Sequence, residues 1–197
     1  MKKILFIATR NPYSGKFSGD VIGSLKIINF LKKKNHVDII TLDNKKSGFK
    51  KSIIYFKSPN FFFKTFFALC SLLSLKPIQF GFFLSKKMKE YTEQNANRYD
   101  LLFFYHTRSS QYFPKNYKGN TVIEMGDLYS KNYYQTFCNL NIFNPLKYIY
   151  LIESFLIKRV ENQIFESFNK IILFSKNEIK KTDKIFRKKI YNINISI

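Results

Sequence analysis

Apolar residues along the chain fall into two kinds of pattern, short unbroken runs and stripes at helical spacing. The first run, ILFIA at 4–8, has no polar interruption, as expected of a strand buried on both faces. A polar loop with two glycines, NPYSGKFSGD, follows it. Val21, Ile22, Leu25, Ile28 and Leu31 then recur at helical spacing, and Lys32, Lys33 and Lys34 suit the negative end of that helix's dipole. VDIITL at 37–42 predicts a second strand and 53–56 a short third. Two helices are expected over 61–75 and 80–94, separated by Pro77. LLFFY at 101–105 and TVIEM at 121–125 read as two more buried strands. Over 146–168 a long amphipathic helix is expected, with Ile149, Ile152, Leu156, Val160 and Ile164 along one face. IILF at 171–174 is the next strand, Ser175 caps a short helix toward Lys181, and 190–195 predicts a last strand.

Strands that alternate with helices define a parallel sheet covered on both faces, the doubly wound, Rossmann-like α/β class. Neither a repeat nor a linker divides the chain, so 1–197 is expected to be a single domain. Ligands of such sheets bind outside the carboxyl ends of the strands. The loops 9–20, 106–112 and 126–136 are therefore expected to share one rim.

Composition narrows the picture. With 197 residues, 45% of them hydrophobic, and only 7 Gly and 5 Pro, the chain has the apolar content for a core and not the signature of disorder. Cys70 and Cys138 are far apart and in no metal-ligand or C-x-x-C spacing, which excludes a disulfide scaffold and a zinc site. A reducing cytoplasm is the expectation. The opening apolar run is too short for a signal peptide and is stopped by Thr9, Arg10 and Asn11. The segment PNFFFKTFFALCSLLSL at 59–75 contains Lys64 and falls short of the ~20 apolar residues of a membrane span, so a buried or surface-lying helix is expected there. Against 13 Asp+Glu stand 34 Lys+Arg, a net charge of +21 that points to nucleic acid or an anionic membrane. The abundance of Lys, Asn, Ile, Phe and Tyr with no Trp is equally the usage that AT-rich codons produce. Charge alone does not name the partner.

Several residues at the expected rim carry chemistry. Gly15, Lys16 and Gly19 lie between the first strand and the first helix, where backbone N–H groups and the helix N-terminus favour an anion. The loop matches neither G-x-G-x-x-G nor the P-loop, and a plain turn is the alternative. His106, just past the fourth strand, is placed to orient a hydroxyl or act as a base, and Arg108 to hold a phosphate. Asp127 follows the fifth strand, with Ser130 and Tyr133 beyond it, a set that suits sugar hydroxyls and their apolar faces. Asp127 would equally cap the next helix. Glu153 and Glu161 form E-x7-E, but they sit mid-helix with no glycine-rich turn nearby, so they are expected to be solvated or ion-paired. No metal site is expected.

Taken in order, these pieces resemble a known family. KILFIATRNPYSGKFSGDVIGSLKIINFLKKKNHVDIITL looks like the start of the N-terminal domain of GT-B glycosyltransferases, in the large retaining family that includes sucrose synthase. The stretches KPIQFGFFLSKKM, YDLLFFYHTRSSQYF, TVIEMGDLYSKNYY and YLIESFLIKRVENQIFESFNKIILFSKNEIK resemble its bacterial sugar-transferase branch. In that branch an Arg-x-x-x-Tyr element, a strand ending in Asp with Ser nearby, a Glu-bearing helix and a strand-Ser-x-x-Glu element occur in this order. Here they are Arg108 with Tyr112, Asp127 with Ser130, Glu153 with Glu161, and Ser175 with Glu178. His106 stands about one position later than the family's commoner placement.

The resemblance implies the acceptor-binding half of a retaining hexosyltransferase, moving a sugar from a nucleotide-sugar to a cell-surface glycan or lipid-linked acceptor. His106 and Asp127 would be catalytic, and Gly15, Lys16, Gly19, Arg108, Ser130 and Tyr133 would bind substrate. No cofactor is implied beyond the nucleotide-sugar co-substrate. NINISI falls where the linker to a donor-binding domain would begin, so the chain is expected to be an acceptor-side half, either a fragment or one member of a split enzyme with a separate donor-binding chain, and alone to be inactive. The implied location is cytoplasmic, peripheral on the inner face of the plasma membrane. An alternative is a non-catalytic basic α/β protein for nucleic acid or an anionic membrane. Nucleic acid is the less favoured partner, because no RNP, KH or zinc-finger signature occurs. For a membrane the docking elements would be 61–75 with Lys86, Lys87 and Lys89.

Overall fold

The computed structural model describes residues 1–15, 17–44 and 52–193. Its strands are β1 (Lys3–Ala8), β2 (His36–Leu42), β3 (Ile53–Phe56), β4 (Leu101–Tyr105), β5 (Asn120–Gly126), β6 (Lys170–Leu173) and β7 (Ile190–Asn192). All pair in parallel in one sheet, in the order β3-β2-β1-β4-β5-β6-β7. Its helices are α1 (Gly19–Lys32), α2 (Phe61–Leu73), α3 (Ile78–Phe82), α4 (Lys86–Asn95), α5 (Tyr129–Asn139), α6 (Leu146–Ser167), α7 (Lys176–Lys181) and α8 (Lys184–Arg187). The architecture is α/β and Rossmann-like, as the sequence pattern predicts.

The unbroken apolar runs are unbroken because both faces of the sheet are covered. On one face Leu5, Ile7, Phe104, Ile123 and Met125 pack with Met88 of α4 and with Ile164, Phe165 and Phe168 at the end of α6. On the other, Ile4, Phe6, Ile39 and Phe103 pack with Ile28 of α1. Burial of each such side chain stabilises the fold by about 1.5–3 kcal/mol. Register then sets the rim. Ala8 lies beside both Thr41 and Tyr105, so the chain leaves β1, β2 and β4 at one level, with β1 and β4 on either side of the switch in strand order.

Several expected elements differ. The helix read over 80–94 is two, α3 and α4. Between them the Phe83 carbonyl accepts a hydrogen bond from the Tyr112 hydroxyl, which in turn accepts the Ser85 amide at 3.1 Å. The Ser85 hydroxyl then caps α4 by accepting the Met88 amide. A polar side chain from elsewhere breaks the helix, and apolar periodicity carries no trace of it. Loop 106–112 is a tight 3-10 turn over Thr107–Tyr112, and most of loop 126–136 is helix α5. The strand read over 190–195 is Ile190–Asn192, and 194–197 lie outside the described residues. Among the described residues no helix is long and apolar enough to cross a membrane. Helix α2 lies on the surface against α3, where a Cβ on Gly81 would fall on the Phe67 carbonyl, so only glycine allows the contact.

Candidate functional site

A depression of about 730 Å³ opens at the carboxyl ends of β1 and β2. Its walls are Thr9, Arg10, Asn11, Ser14, Ser18 and Val21 after β1, Leu42, Asp43 and Asn44 after β2, then Ser58, Lys64 and Phe83. Asn11 is buried and organises one wall. Its amide nitrogen donates to Asp43 at 2.6 Å and its oxygen accepts the Tyr13 amide, an Asx turn that shapes the loop.

Arg108 backs this cleft. Its Nε donates to the Thr9 hydroxyl at 2.6 Å, its guanidinium lies 4.7 Å from the centre of the Phe83 ring, and it reaches Asp20 at 3.5 Å. Tyr112 holds the Phe83 carbonyl. The Arg-x-x-x-Tyr spacing thus has a local meaning: Arg108 and Tyr112 grip the two sides of one phenylalanine. Asp20 also takes Arg10 at 2.7 Å and the Ser18 hydroxyl at 2.6 Å. Burial alone would raise the Asp20 carboxyl, but Ser18 and Arg10 beside it hold it below the ordinary carboxylate range.

The expected anion cradle lies at the start of α1. The first turn of α1 already carries the Asp20 carboxylate, so negative charge at that helix end comes from the chain itself. A Cβ on Gly19 would meet nothing within 4 Å and its backbone is unstrained, so the position makes no demand for glycine. Gly15 does adopt φ +72 and is exposed on the loop. Lys16 lies outside the described residues.

His106 follows β4 with φ 68 and ψ 151, a conformation that costs a non-glycine residue of order 1–3 kcal/mol. Its ring packs on Tyr105 at 4.3 Å between centres, and Nδ1 lies 3.4 Å from the Tyr129 hydroxyl. Nε2 is buried with no hydrogen-bond partner among the described residues. Burial, helped by the Arg108 charge, pushes the imidazole down to about 3, so it is neutral at pH 7 and a weak base. Orienting a hydroxyl suits it better than accepting a proton.

Asp127 is exposed at the end of β5, after Gly126 at φ +71. It is not the cap of α5. That position is Leu128, whose amide donates to Glu178 at 3.1 Å. Ser130 is buried with amide and hydroxyl both donated to Glu161, at 3.0 and 2.5 Å. Tyr133 is half-buried between Tyr129 and Tyr150. None of His106, Asp127, Ser130 and Tyr133 is among the walls of the cleft, and Arg108 meets it only through Thr9 and Phe83.

The pair Glu153 and Glu161 is neither solvated nor ion-paired. Both are buried, and each holds the start of another helix. Glu153 accepts the Ile78 and Gln79 amides at 2.8 and 3.4 Å, and Glu161 accepts Ser130. Backbone donors at helix starts are unsatisfied, and a carboxylate completes them.

Sequence reasoning missed two groups. Arg10, Asn11, Asp43, Lys64 and Phe83 wall the cleft, and the signal for the first three was their place directly after β1 and β2. Glu124 is the other. Fully buried beside Tyr105 in the β4–β5 register, neither of its oxygens meets a donor in good hydrogen-bond geometry among the described residues, the nearby Gly126 amide included. Burial, with the Asp127 charge adding to it, pushes this carboxyl up to about 8.

No protein-family model matches the sequence, and no curated protein matches it. The fold does match solved structures. Sucrose-phosphate synthase from Thermosynechococcus elongatus superposes with a TM-score of 0.65 at 13% identity, over 98% of this chain and 48% of that one. A second, shorter chain of that enzyme matches with a TM-score of 0.54 at 13% identity, over 99% of this chain and 91% of that one. An alpha-glucosyltransferase solved with UDP and a 13-mer DNA matches at 0.46 and 14% identity, over 98% and 41%. The chain thus spans about half of the first match. The likeness is one of fold alone, an α/β domain built on a parallel sheet.

Proposed function

We propose that this chain is the acceptor-side half of a glycosyltransferase that moves a sugar from a nucleotide-sugar to a cell-surface glycan or lipid-linked acceptor. The observation that carries the reading is the cleft at the carboxyl ends of β1 and β2, walled by Asn11, Asp43, Ser14 and Ser18 with the face of Phe83. Such a wall pairs hydroxyl-directed donors and acceptors with an aromatic surface, the two features a pyranose presents. Arg10 and Lys64 bring cations to the same cleft for a phosphate. In this reading His106 and Asp127, which lie outside the cleft walls, take no direct part, and the proton of the attacking hydroxyl leaves with the departing diphosphate. The new glycosidic C–O bond forms as the bond from the anomeric carbon to the diphosphate breaks. A donor-binding half supplies the opposite wall, and the work is done in the cytoplasm at the membrane's inner face.

The test is transfer from radiolabelled nucleotide-sugars to glycan and lipid acceptors, with the chain alone and with the product of the adjacent reading frame. Holding two reactants in place supplies up to about 7–11 kcal/mol of a barrier, so the chain alone is expected to show no turnover and the mixture to restore it. Turnover by the isolated chain would contradict the half-enzyme reading. No transfer by any mixture, with tight salt-sensitive binding of nucleic acid, would contradict the sugar reading itself.

A further inference from the structure

Helix α2 presents a face that nothing among the described residues covers. Phe62, Phe66, Leu69 and Leu73, at i, i+4, i+7 and i+11, form one stripe with 82, 59, 56 and 77% of their surface exposed. Ala68 and Ser71, on the opposite side of the helix, are the residues buried against the protein. An amphipathic surface helix buries its apolar stripe and exposes its polar face, and α2 does the reverse. Contiguous exposed apolar surface of this kind marks a contact with something else.

The charge around the stripe says what kind of contact. Among the described positions 52–89 there are six lysines and no aspartate, glutamate or arginine. Three of them, Lys57, Lys86 and Lys87, line a groove of about 340 Å³ whose floor includes Phe63 and Phe67 of α2 itself. Lysines that line one groove with phenylalanines, beside an exposed apolar stripe, match a surface that is anionic at its headgroups and apolar just beneath them. A protein partner of ordinary composition has no need of a one-signed field this broad. Ser58 lines both this groove and the main cleft, and Lys64 of α2 reaches the cleft wall, so whatever seats α2 also sits at the cleft mouth.

We propose that α2 lies in the interface of an anionic bilayer, its Phe62–Leu73 stripe among the acyl chains and the Lys57–Lys86–Lys87 groove on lipid phosphates. The docking is independent of sugar transfer, since it needs neither nucleotide-sugar nor a second chain, and it is measured without them. It also orients the molecule, with the main cleft opening along the membrane surface.

The chain has no tryptophan, so Phe62→Trp makes a single reporter on the exposed stripe. Vesicles of phosphatidylcholine alone and of phosphatidylcholine with phosphatidylglycerol are compared, at low and high salt, with brominated lipid as a depth-dependent quencher. Expected are a blue shift and quenching with the anionic vesicles, binding that weakens as salt rises, and a roughly tenfold or greater loss of partitioning on Lys86→Gln with Lys87→Gln. Phe66→Ser with Leu69→Ser abolishes the quenching while leaving the circular dichroism and melting temperature unchanged, because both side chains are exposed. A reporter that stays in water with every vesicle would overturn the proposal. So would equal, salt-insensitive binding to neutral vesicles. A blue shift that grows with protein concentration in the absence of lipid would assign the stripe to a second copy of the chain and overturn it as well.

Discussion

At the scale of single residues, two buried groups with opposite displacements contribute oppositely to the pH dependence of stability. Glu124 is pushed up to about 8 from an ordinary 4.5, and His106 down to about 3 from an ordinary 6.5. A carboxyl raised in the folded state binds more protons folded than unfolded, so its contribution declines as pH climbs from about 4.5 to 8. A depressed histidine binds more protons unfolded, so its contribution declines as pH falls from about 6.5 to 3. The two slopes cancel where they overlap. For these two groups, stability is expected to be flat between about 4.5 and 6.5 and to fall on either side. Melting temperatures across this range check it. Glu124→Gln flattens the alkaline arm and leaves a protein more stable at pH 8, by on the order of 4 kcal/mol. His106→Asn, in which asparagine tolerates the positive φ, flattens part of the acid arm. Asp20, held low by Ser18 and Arg10 against the effect of burial, keeps the rest. An alkaline arm unchanged by Glu124→Gln would mean that Glu124 is already ionised in the folded protein.

At the scale of elements, buried glutamates tie helices together across the sheet's surface layer. Glu153 and Glu161 on α6 hold the starts of α3 and α5, and Glu178 on α7 holds the amide that precedes α5. Replacing Glu161 with alanine strands the Ser130 amide and hydroxyl, and is expected to cost about 2–3 kcal/mol in denaturant unfolding. Glu153→Ala should act more locally, raising hydrogen exchange at Ile78–Phe82 before other elements. A loss below about 0.5 kcal/mol for Glu161→Ala would show that water replaces the carboxylate without penalty. These ties explain which elements the sequence made legible. Strands β1 and β4 are unbroken apolar runs, and β2 and β5 are mostly apolar, because each is buried on both faces, so their bounds can be read within a residue or so. Helices α3 and α5 are set by partners far away in the chain, Tyr112 and Glu161, and no local period announces that. The E-x7-E pair was visible as a spacing but not as a purpose, because a mid-helix glutamate looks the same whether it faces water or a neighbouring helix start. The candidate site divides in the same way. The rim after β1 and β4 follows from the topology of a doubly wound sheet, whereas the entry of Lys64 and Phe83 into its wall depends on how α2 and α3 pack. Glu124 was hidden because a single acid at the end of an apolar strand reads as its solvent-facing terminus.

At the scale of the whole molecule, parallel register brings the ends of β1, β2 and β4 to one level, and the loops that leave β1 and β2 enclose the cleft. The uncovered stripe of α2 adjoins that cleft, so the sheet's open end and the apolar face belong to one side of the molecule. A chain of this design presents its binding site toward the surface on which it is seated. Truncating Asn11 to alanine should empty the wall contact to Asp43 and open the loop after β1. The expected result is at least tenfold weaker acceptor binding, read by calorimetry, with a melting temperature lowered by only a few degrees. A variant that binds as well as the parent would remove Asn11 from the site. The central claim is that an acceptor sugar occupies the cleft between the β1 and β2 loops, and hydrogen–deuterium exchange across a panel of glycans and glycolipid headgroups tests it most directly. The account predicts that a bound acceptor slows exchange at 9–14, at 43–44 and around 58–64 and 83, and leaves β6 and β7 unchanged. Protection confined to the β6–β7 edge, or protection of the cleft segments by oligonucleotides and by no glycan, would contradict it.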